Sequence, residues 1–281
     1  MVAPAAKRVL VVGIMLVRNE DVYVEQAARN AAAFCDRIHV VDHLSSDGTW
    51  EILRRLAGDF DHVEVRRARH AGESHVVLEQ YVGTRTWVIG VDGDELFDPS
   101  GLARLRQALL DGAYADVFKL KGHVLNCTSL RPDAGEAEGY MAPPSRPMTK
   151  LFNLGAVETW TGCPERLHSG TASFRDGYHW DAQHCLYDEL DWDEDPLRCL
   201  HVCFLRRSSA EPAEPAEPRR SLGETGMYRR GTIGALARVV RPPALDRRVR
   251  EVHTRGSTWK RDKYARGSLV VKDASPFLST T

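Results

Sequence analysis

No run of apolar residues in this chain approaches the roughly 18 or more that a membrane-crossing helix requires. The longest, Val9 to Val17, spans nine residues, so nothing beyond peripheral membrane contact is expected. The first residues lack a basic start, an apolar stretch and a small-residue cleavage site in series, and a cytoplasmic chain is the expectation. The six cysteines include no Cys-x-x-Cys pair, which argues against a zinc framework and for thiols that stay reduced. No glycine-rich loop with a following lysine stands near the first apolar run, so a phosphate cradle of that kind is absent. Basic residues are not interleaved with aromatics, and nucleic acid is not an expected partner. At 281 residues and 43% hydrophobic, the chain can build one substantial core.

The most informative feature present is Asp92-Gly93-Asp94, reached from the apolar run Trp87-Val88-Ile89-Gly90-Val91 and followed by Glu95. A buried strand thus ends in three acids within four residues. Carboxylates so close repel one another unless a positive charge sits between them. A hard divalent cation with oxygen ligands, shared with substrate phosphates, is one answer. An acidic loop of no special role is the other.

The surrounding pattern favours the first. Val9–Val17 ends in Arg18-Asn19-Glu20, and a short run rich in branched residues fits a strand buried on both faces. Val22 to Phe34 reads as a helix, and Arg37 to Asp42 as a second strand. Asp47-Gly48 is turn chemistry, with Thr49 the expected cap of a helix over Trp50–Leu56. Val63 to Arg66 reads as a third strand, Gly72 to Tyr81 as a helix, and Trp87–Val91 as a fourth strand. Strand and helix alternating in this way predict a doubly wound, mostly parallel α/β sheet, which binds ligands at the carboxyl ends of its strands. Each polar cluster falls at such an end.

These residues, Val17-Arg18-Asn19-Glu20, Val40-Val41-Asp42 with Ser45, Asp47-Gly48-Thr49, and Val91-Asp92-Gly93-Asp94-Glu95, resemble the ordered motifs of family 2 glycosyltransferases. The resemblance covers about residues 8 to 205. It implies the GT-A fold and inverting transfer of a hexose or N-acetylhexosamine from a nucleoside-diphosphate sugar, UDP-sugar first, to a hydroxyl or amine acceptor. It also implies Mg²⁺ or Mn²⁺ held by Asp92, Asp94 and a late histidine, which His201 matches in order and in apolar strand context. Val17, Arg18, Asn19, Glu20, Asp42, Asp47, Asp92 and Gly93 fall at donor-binding positions, with Asp92 shared between metal and ribose and Asp42 placed to accept from a base N–H. The chain departs from the pattern at Glu73-Ser74-His75, where relatives often carry a basic residue followed by Asn. His75 is the expected substitute. The general base is expected at Glu165, with Asp181 and Asp188 as alternatives. The acidic run Asp188–Asp195 otherwise reads as a solvated loop. Trp160 and Trp180 are either sugar-stacking rings or core. Cys199 and Cys203, flanking His201, read as buried structural thiols. A sugar nucleotidyltransferase and a non-catalytic nucleotide-sugar-binding protein are the alternative functions.

Asn126 to Arg146, marked by Pro132, Gly135, Gly139, Pro143 and Pro144, is expected to be an irregular acceptor loop or lid. Past residue 205 the charge changes sign. Residues 206–273 hold 17 Lys and Arg against 8 acids, while the rest holds 21 against 31. A Pro-Ala-Glu repeat within 206–220 predicts an extended linker. The residues after it, 221–281, are expected to form a basic, partly helical appendage that docks on its own acidic domain or on an anionic acceptor such as an acidic carrier protein, a phospholipid headgroup or a phosphorylated acceptor. The oligomeric state is left open.

Overall fold

The computed structural model describes residues 8–210 and 261–279. Most of the Pro-Ala-Glu repeat and the basic pairs at 219–220, 229–230 and 247–248 lie outside the described residues.

Strand β1 (Leu10–Val17) is buried along all but its first residue. Val11, Met15 and Val17 join one apolar core and Val12, Ile14 and Leu16 another, so each face of the strand is covered. That is why its sequence is an unbroken apolar run rather than an alternating one. β2 (Arg37–Asp42), β3 (Val63–Arg67) and β4 (Thr86–Val91) lie parallel to it in the order β3-β2-β1-β4. Beyond β4 the sheet continues with β9 (Thr149–Asn153), β6 (Lys119–Lys121) and β12 (Gln183–Cys185), and β9 is antiparallel to both neighbours. The result is a mixed α/β fold around a seven-stranded, mostly parallel sheet. Helices α1 (Val24–Ala32), α2 (Thr49–Asp59) and α4 (Pro99–Leu110) contribute to the first core.

Two local expectations change. Thr49 is the first residue of α2, not its cap, and its hydroxyl accepts the Glu20 N–H at 2.8 Å, tying the end of β1 to the start of α2. The helix expected over 72–81 is a single turn, α3 (Glu73–Val76), followed by a 3₁₀ turn at Glu79–Tyr81. Helical periodicity fails there because Ser74 and His75 are buried while Val76 is exposed.

A second, five-stranded sheet flanks the first. It runs β14 (Leu269–Asp273), β8 (Glu136–Ala142), β7 (Val124–Arg131), β13 (Cys199–His201) and β5 (Glu95–Phe97). The lid expected at 126–146 is therefore corrected: most of it is the β7–β8 hairpin, with Pro132 and Gly135 in its turn. Gly135 adopts φ +65, which glycine takes without strain. Gly139 reads as a loop residue but is a strand residue pressed on its partner. A Cβ there would stand 2.7 Å from the Asn126 carbonyl carbon and 2.9 Å from Cys127 Cα. A two-stranded ribbon, β10 (Val157–Thr161) with β11 (Thr171–Phe174), completes the strands.

The expected boundary at 205 does not separate the end of the chain. β14 pairs with β8, and α5 (Ser275–Leu278) buries Phe277 in the first core. Asn30 donates to the Phe277 carbonyl at 2.8 Å. Full burial of one such ring is worth about 2–3 kcal/mol, enough to anchor a one-turn helix. The acidic run is likewise only partly solvated. Asp195 is fully buried and accepts from the His123 and Leu197 N–H groups at 2.6 and 2.8 Å.

Candidate active site

The sheet geometry sends the carboxyl ends of β1, β2 and β4 to one edge, and each end carries an acid. Beyond β1, Asn19 turns the chain in the left-handed region (φ 54), which asparagine tolerates. Its side chain accepts the Ser46 N–H at 2.8 Å, and its own N–H is received by Ser45 Oγ at 2.9 Å. Asn19 thus stitches the β1 and β2 loops together. Val17 is core, while Arg18 lies half-buried beside Asn19. Glu20 is 5% exposed, and its Oε1 lies 3.6 Å from the Arg207 guanidinium.

Asp42, at the end of β2, is completely buried. It accepts from the Ser45 N–H at 3.1 Å and from Arg67 Nε at 2.9 Å. A base could reach its carboxylate only if Arg67, stacked on Trp50 at 4.6 Å, moved aside. The expectation of a carboxylate open to a base N–H is corrected accordingly: Asp42 shapes the 43–46 loop. Asp47 accepts the Thr49 N–H at 3.0 Å and receives the Ser208 hydroxyl, which keeps its carboxyl below the usual range against the opposing effect of burial.

The three acids after β4 are each matched by a protein cation. Arg166 pairs with Asp92, Arg207 with Asp94 and Lys150 with Glu95. Asp94 and Glu95 are 2% and 0% exposed, and the Lys150 side chain is 6% exposed. Glu95 Oε2 also accepts the Asp92 N–H at 3.1 Å. Burial, with Asp92 and Asp94 nearby, pushes the Glu95 carboxyl up to about 7, against the pull of Lys150. Burial lowers Lys150, but the attraction of Glu95 outweighs it and the ammonium is held above its ordinary range. Arg166 and Arg207 are raised for the same reason, by Asp92 and Asp94. The positive charge between the carboxylates is therefore supplied, in this arrangement, by arginine and lysine.

His201 ends β13 and faces Asp94, with Nε2 3.8 Å from Asp94 Oδ2, while Asn126 Oδ1 holds Nδ1 at 2.9 Å. The same Asp94 oxygen is held by Arg207. Asp92 is drawn to Arg166 instead. Among the described residues no three His, Cys, Asp or Glu side chains come together in a metal-holding group. Two of the three expected ligands thus share a place, and the third does not join them.

His75 is corrected outright. It is 3% exposed, its ring nitrogens lie 2.6 and 2.9 Å from the Arg166 and Trp160 carbonyls, and its ring packs edge-on against Trp160. It supports the 160–166 loop. Glu165, in the turn after β10, is half-buried, 3.6 Å from both Arg166 and His168. Arg166 therefore sits between Glu165 and Asp92. Asp181 and Asp188 are exposed, Asp181 in the field of Lys119. Trp160 is core and Trp180 is part-exposed beside Lys119. Cys199 and Cys203 are buried, and neither forms a disulfide.

Beside Asp92 opens a cleft of about 530 Å³, bounded by β6, β9, the 166–169 turn and Lys263-Tyr264.

No protein-family profile matches this chain, and no curated protein does. Among solved structures it is similar in part to TarS of S. aureus, at 15% identity and TM-score 0.36 over 52% of this chain and 29% of that one. It is similar also to the mannosyltransferase PcManGT from Pyrobaculum calidifontis, solved with GDP-Man and Mn²⁺, at 20% identity and TM-score 0.32, over 46% and 37% of the two chains. A third is glucosyl-3-phosphoglycerate synthase from Mycobacterium tuberculosis, at 19% identity and TM-score 0.31, over 42% and 44%. The chain spans less than half the length of each of these proteins.

The residues missed in the sequence are the cations. Lys150 had a signal: it is a charged residue next to the apolar pair Leu151-Phe152 in a short strand, and a lysine buried there needs a partner. Arg166 and Arg207 had none, because each sits in a loop whose path depends on tertiary packing. Among the described residues no helix is long and apolar enough to cross a membrane.

Proposed function

We propose that this chain is a GT-A-type, inverting glycosyltransferase that moves a sugar from a nucleoside-diphosphate donor, UDP first, to a hydroxyl or amine acceptor. The observation that carries the reading is the convergence of Glu20, Asp92, Asp94 and Glu95 just beyond the carboxyl ends of the parallel strands β1 and β4, interleaved with Arg166, Arg207 and Lys150.

Transfer breaks the bond between the anomeric carbon and a phosphate oxygen, and negative charge builds on the departing diphosphate. Arg166 and Arg207 are the cations at that edge, and each can exchange a carboxylate for a phosphate oxygen without entering a new environment. Asp94 and His201, with Asp92 once it leaves Arg166, would hold Mg²⁺ or Mn²⁺, which when bound supplies Lewis-acid stabilisation of the same charge. Lys150 and Glu95 lie beneath and keep the Asp92 loop in place through the Asp92 N–H. The ribose and base are assigned to the Val17–Glu20 and Ser45–Asp47 loops. Glu165 is assigned the acceptor's proton, with Arg166 and His168 orienting it.

The test is release of UDP from a panel of UDP-hexoses and UDP-N-acetylhexosamines, with the Asp94→Asn variant alongside. Turnover of a UDP-sugar that falls at least about a hundredfold in the variant supports the reading. Equal turnover by both proteins, or none with UDP-, GDP- and TDP-sugars alike, rejects it.

A further inference from the structure

The cleft beside Asp92 has a charge distribution that the donor does not explain. Its lining holds six lysines and arginines and, among the described residues, a single carboxylate, Asp92. Arg166 and Lys150 are matched to Asp92 and Glu95. The lining also holds Lys119 and Lys121 from β6, with Asp181 acting on Lys119, Arg146 ahead of β9, and Lys263 from the C-terminal stretch. They come from three separate segments, so no helical or strand periodicity accounts for their meeting. The Arg146 N–H donates to the Lys263 carbonyl at 3.1 Å, which joins two of those walls.

The position of the cleft also matters. β4 stands between β1 and β9 in the sheet, and Asp92 follows its last residue. The loops assigned to the nucleotide follow β1 and β2 on one side, and the cleft is floored by β6 and β9 on the other. A sugar poised at Asp92 would have the nucleotide to one side and this cleft to the other. At about 530 Å³ it falls within the range of small-molecule sites, roughly 300–1,000 Å³. Lys119 is 7% exposed and sits 4.9 Å from the ring centre of Trp180, which is itself 37% exposed. The cleft thus offers a buried ammonium held over an aromatic ring. A cleft lined mainly by one sign of charge focuses its field and concentrates a ligand of the opposite sign.

We propose that this cleft is the acceptor pocket and that the acceptor carries a phosphate monoester. Several cations converging from different walls fit a dianion better than a single carboxylate, and a phosphate monoester is close to doubly charged at neutral pH. The proposal rests on the transferase reading only for the word acceptor; the anion site stands on the lining itself. A soluble sugar phosphate and a phosphorylated lipid share this headgroup chemistry.

The experiment is calorimetric titration of the full chain, first with UDP alone and then, with UDP and Mn²⁺ saturating, with glucose 6-phosphate or glucose. A parallel arm uses phosphatidylcholine vesicles with and without phosphatidic acid. Two double variants accompany wild type: Lys119→Ala with Lys121→Ala, and the more exposed pair Arg146→Ala with Lys263→Ala, which guards against misfolding of the first. The expected result is binding of the phosphate-bearing probe at least about tenfold tighter than its neutral control, lost in both variants while UDP affinity changes less than about threefold. Preference for glucose 6-phosphate assigns a soluble acceptor, and preference for the phosphatidic acid vesicles assigns a lipid one. Equal binding of charged and neutral probes overturns the proposal, as does phosphate binding that both variants retain. Failure of UDP to bind, with variant-sensitive phosphate binding intact, rejects the donor reading and leaves the anion site standing.

Discussion

Replacing Lys150 with methionine keeps the length of the side chain and removes the cation that neutralises Glu95. Both groups are buried, at 6% and 0% side-chain exposure, so water cannot take over. Removing one partner of such a pair costs about 3–5 kcal/mol. The pH dependence is the more specific signature. In wild type the Glu95 carboxyl is raised to about 7, against about 4.3 in an unfolded chain. A raised carboxyl gives its full stabilisation below the unfolded value and loses it as pH climbs toward the folded one. Wild type should therefore lose this contribution between about pH 4.5 and 7 and then level off. Without Lys150 the carboxyl moves higher still, because burial, Asp92 and Asp94 all act in that direction and their main opponent is gone. Above pH 7 the variant then holds a proton in the folded state that the unfolded chain has released. Its stability should go on falling, by about 1.4 kcal/mol per pH unit, where wild type is flat. Urea denaturation followed by fluorescence from pH 6 to 9 measures the difference. A gap between the two proteins that is constant across that range, or smaller than about 1 kcal/mol at pH 8, would refute the reasoning.

Other substitutions test separate parts. Gly139→Ala sets a methyl against the Asn126 backbone and should cost about 1–3 kcal/mol, since both strands are fixed in the sheet; a melting temperature within a degree of wild type contradicts this. His75→Leu leaves the Trp160 and Arg166 carbonyls without their imidazole partner and should destabilise by about 2 kcal/mol, with UDP affinity within about threefold. A large selective loss of UDP binding in a folded His75→Leu protein would restore a donor role for that residue. Glu165→Gln should lower transfer at least about a hundredfold with donor affinity unchanged, and activity within a few-fold of wild type would move the base elsewhere.

The parallel strands were legible because burial on both faces leaves a plain trace: Val9–Val17 and Trp87–Val91 are apolar without alternation, and each run is broken by the acids that follow it. The β7–β8 hairpin was not legible. Gly139 and the prolines read as breakers, yet Gly139 is required by close strand approach and Pro132 opens the short turn between the two strands. The counter-charges of the acids were missed for a related reason. Repulsion among Asp92, Asp94 and Glu95 demanded a cation but did not say which, and Arg166 and Arg207 arrive from 74 and 113 residues away in sequence. His75 misled because a position in a motif was read as a contact, whereas its ring is taken up by two carbonyls.

The most direct measurement is a calorimetric titration of UDP into wild type and Asp94→Ala, with Mn²⁺, with Mg²⁺ and with EDTA. The expected result is UDP binding that is strongest with a divalent cation and falls at least about tenfold in the variant. Absence of binding by UDP, GDP and TDP under every condition, or binding untouched by Asp94→Ala, would contradict a nucleotide-sugar site at the carboxyl edge of this sheet.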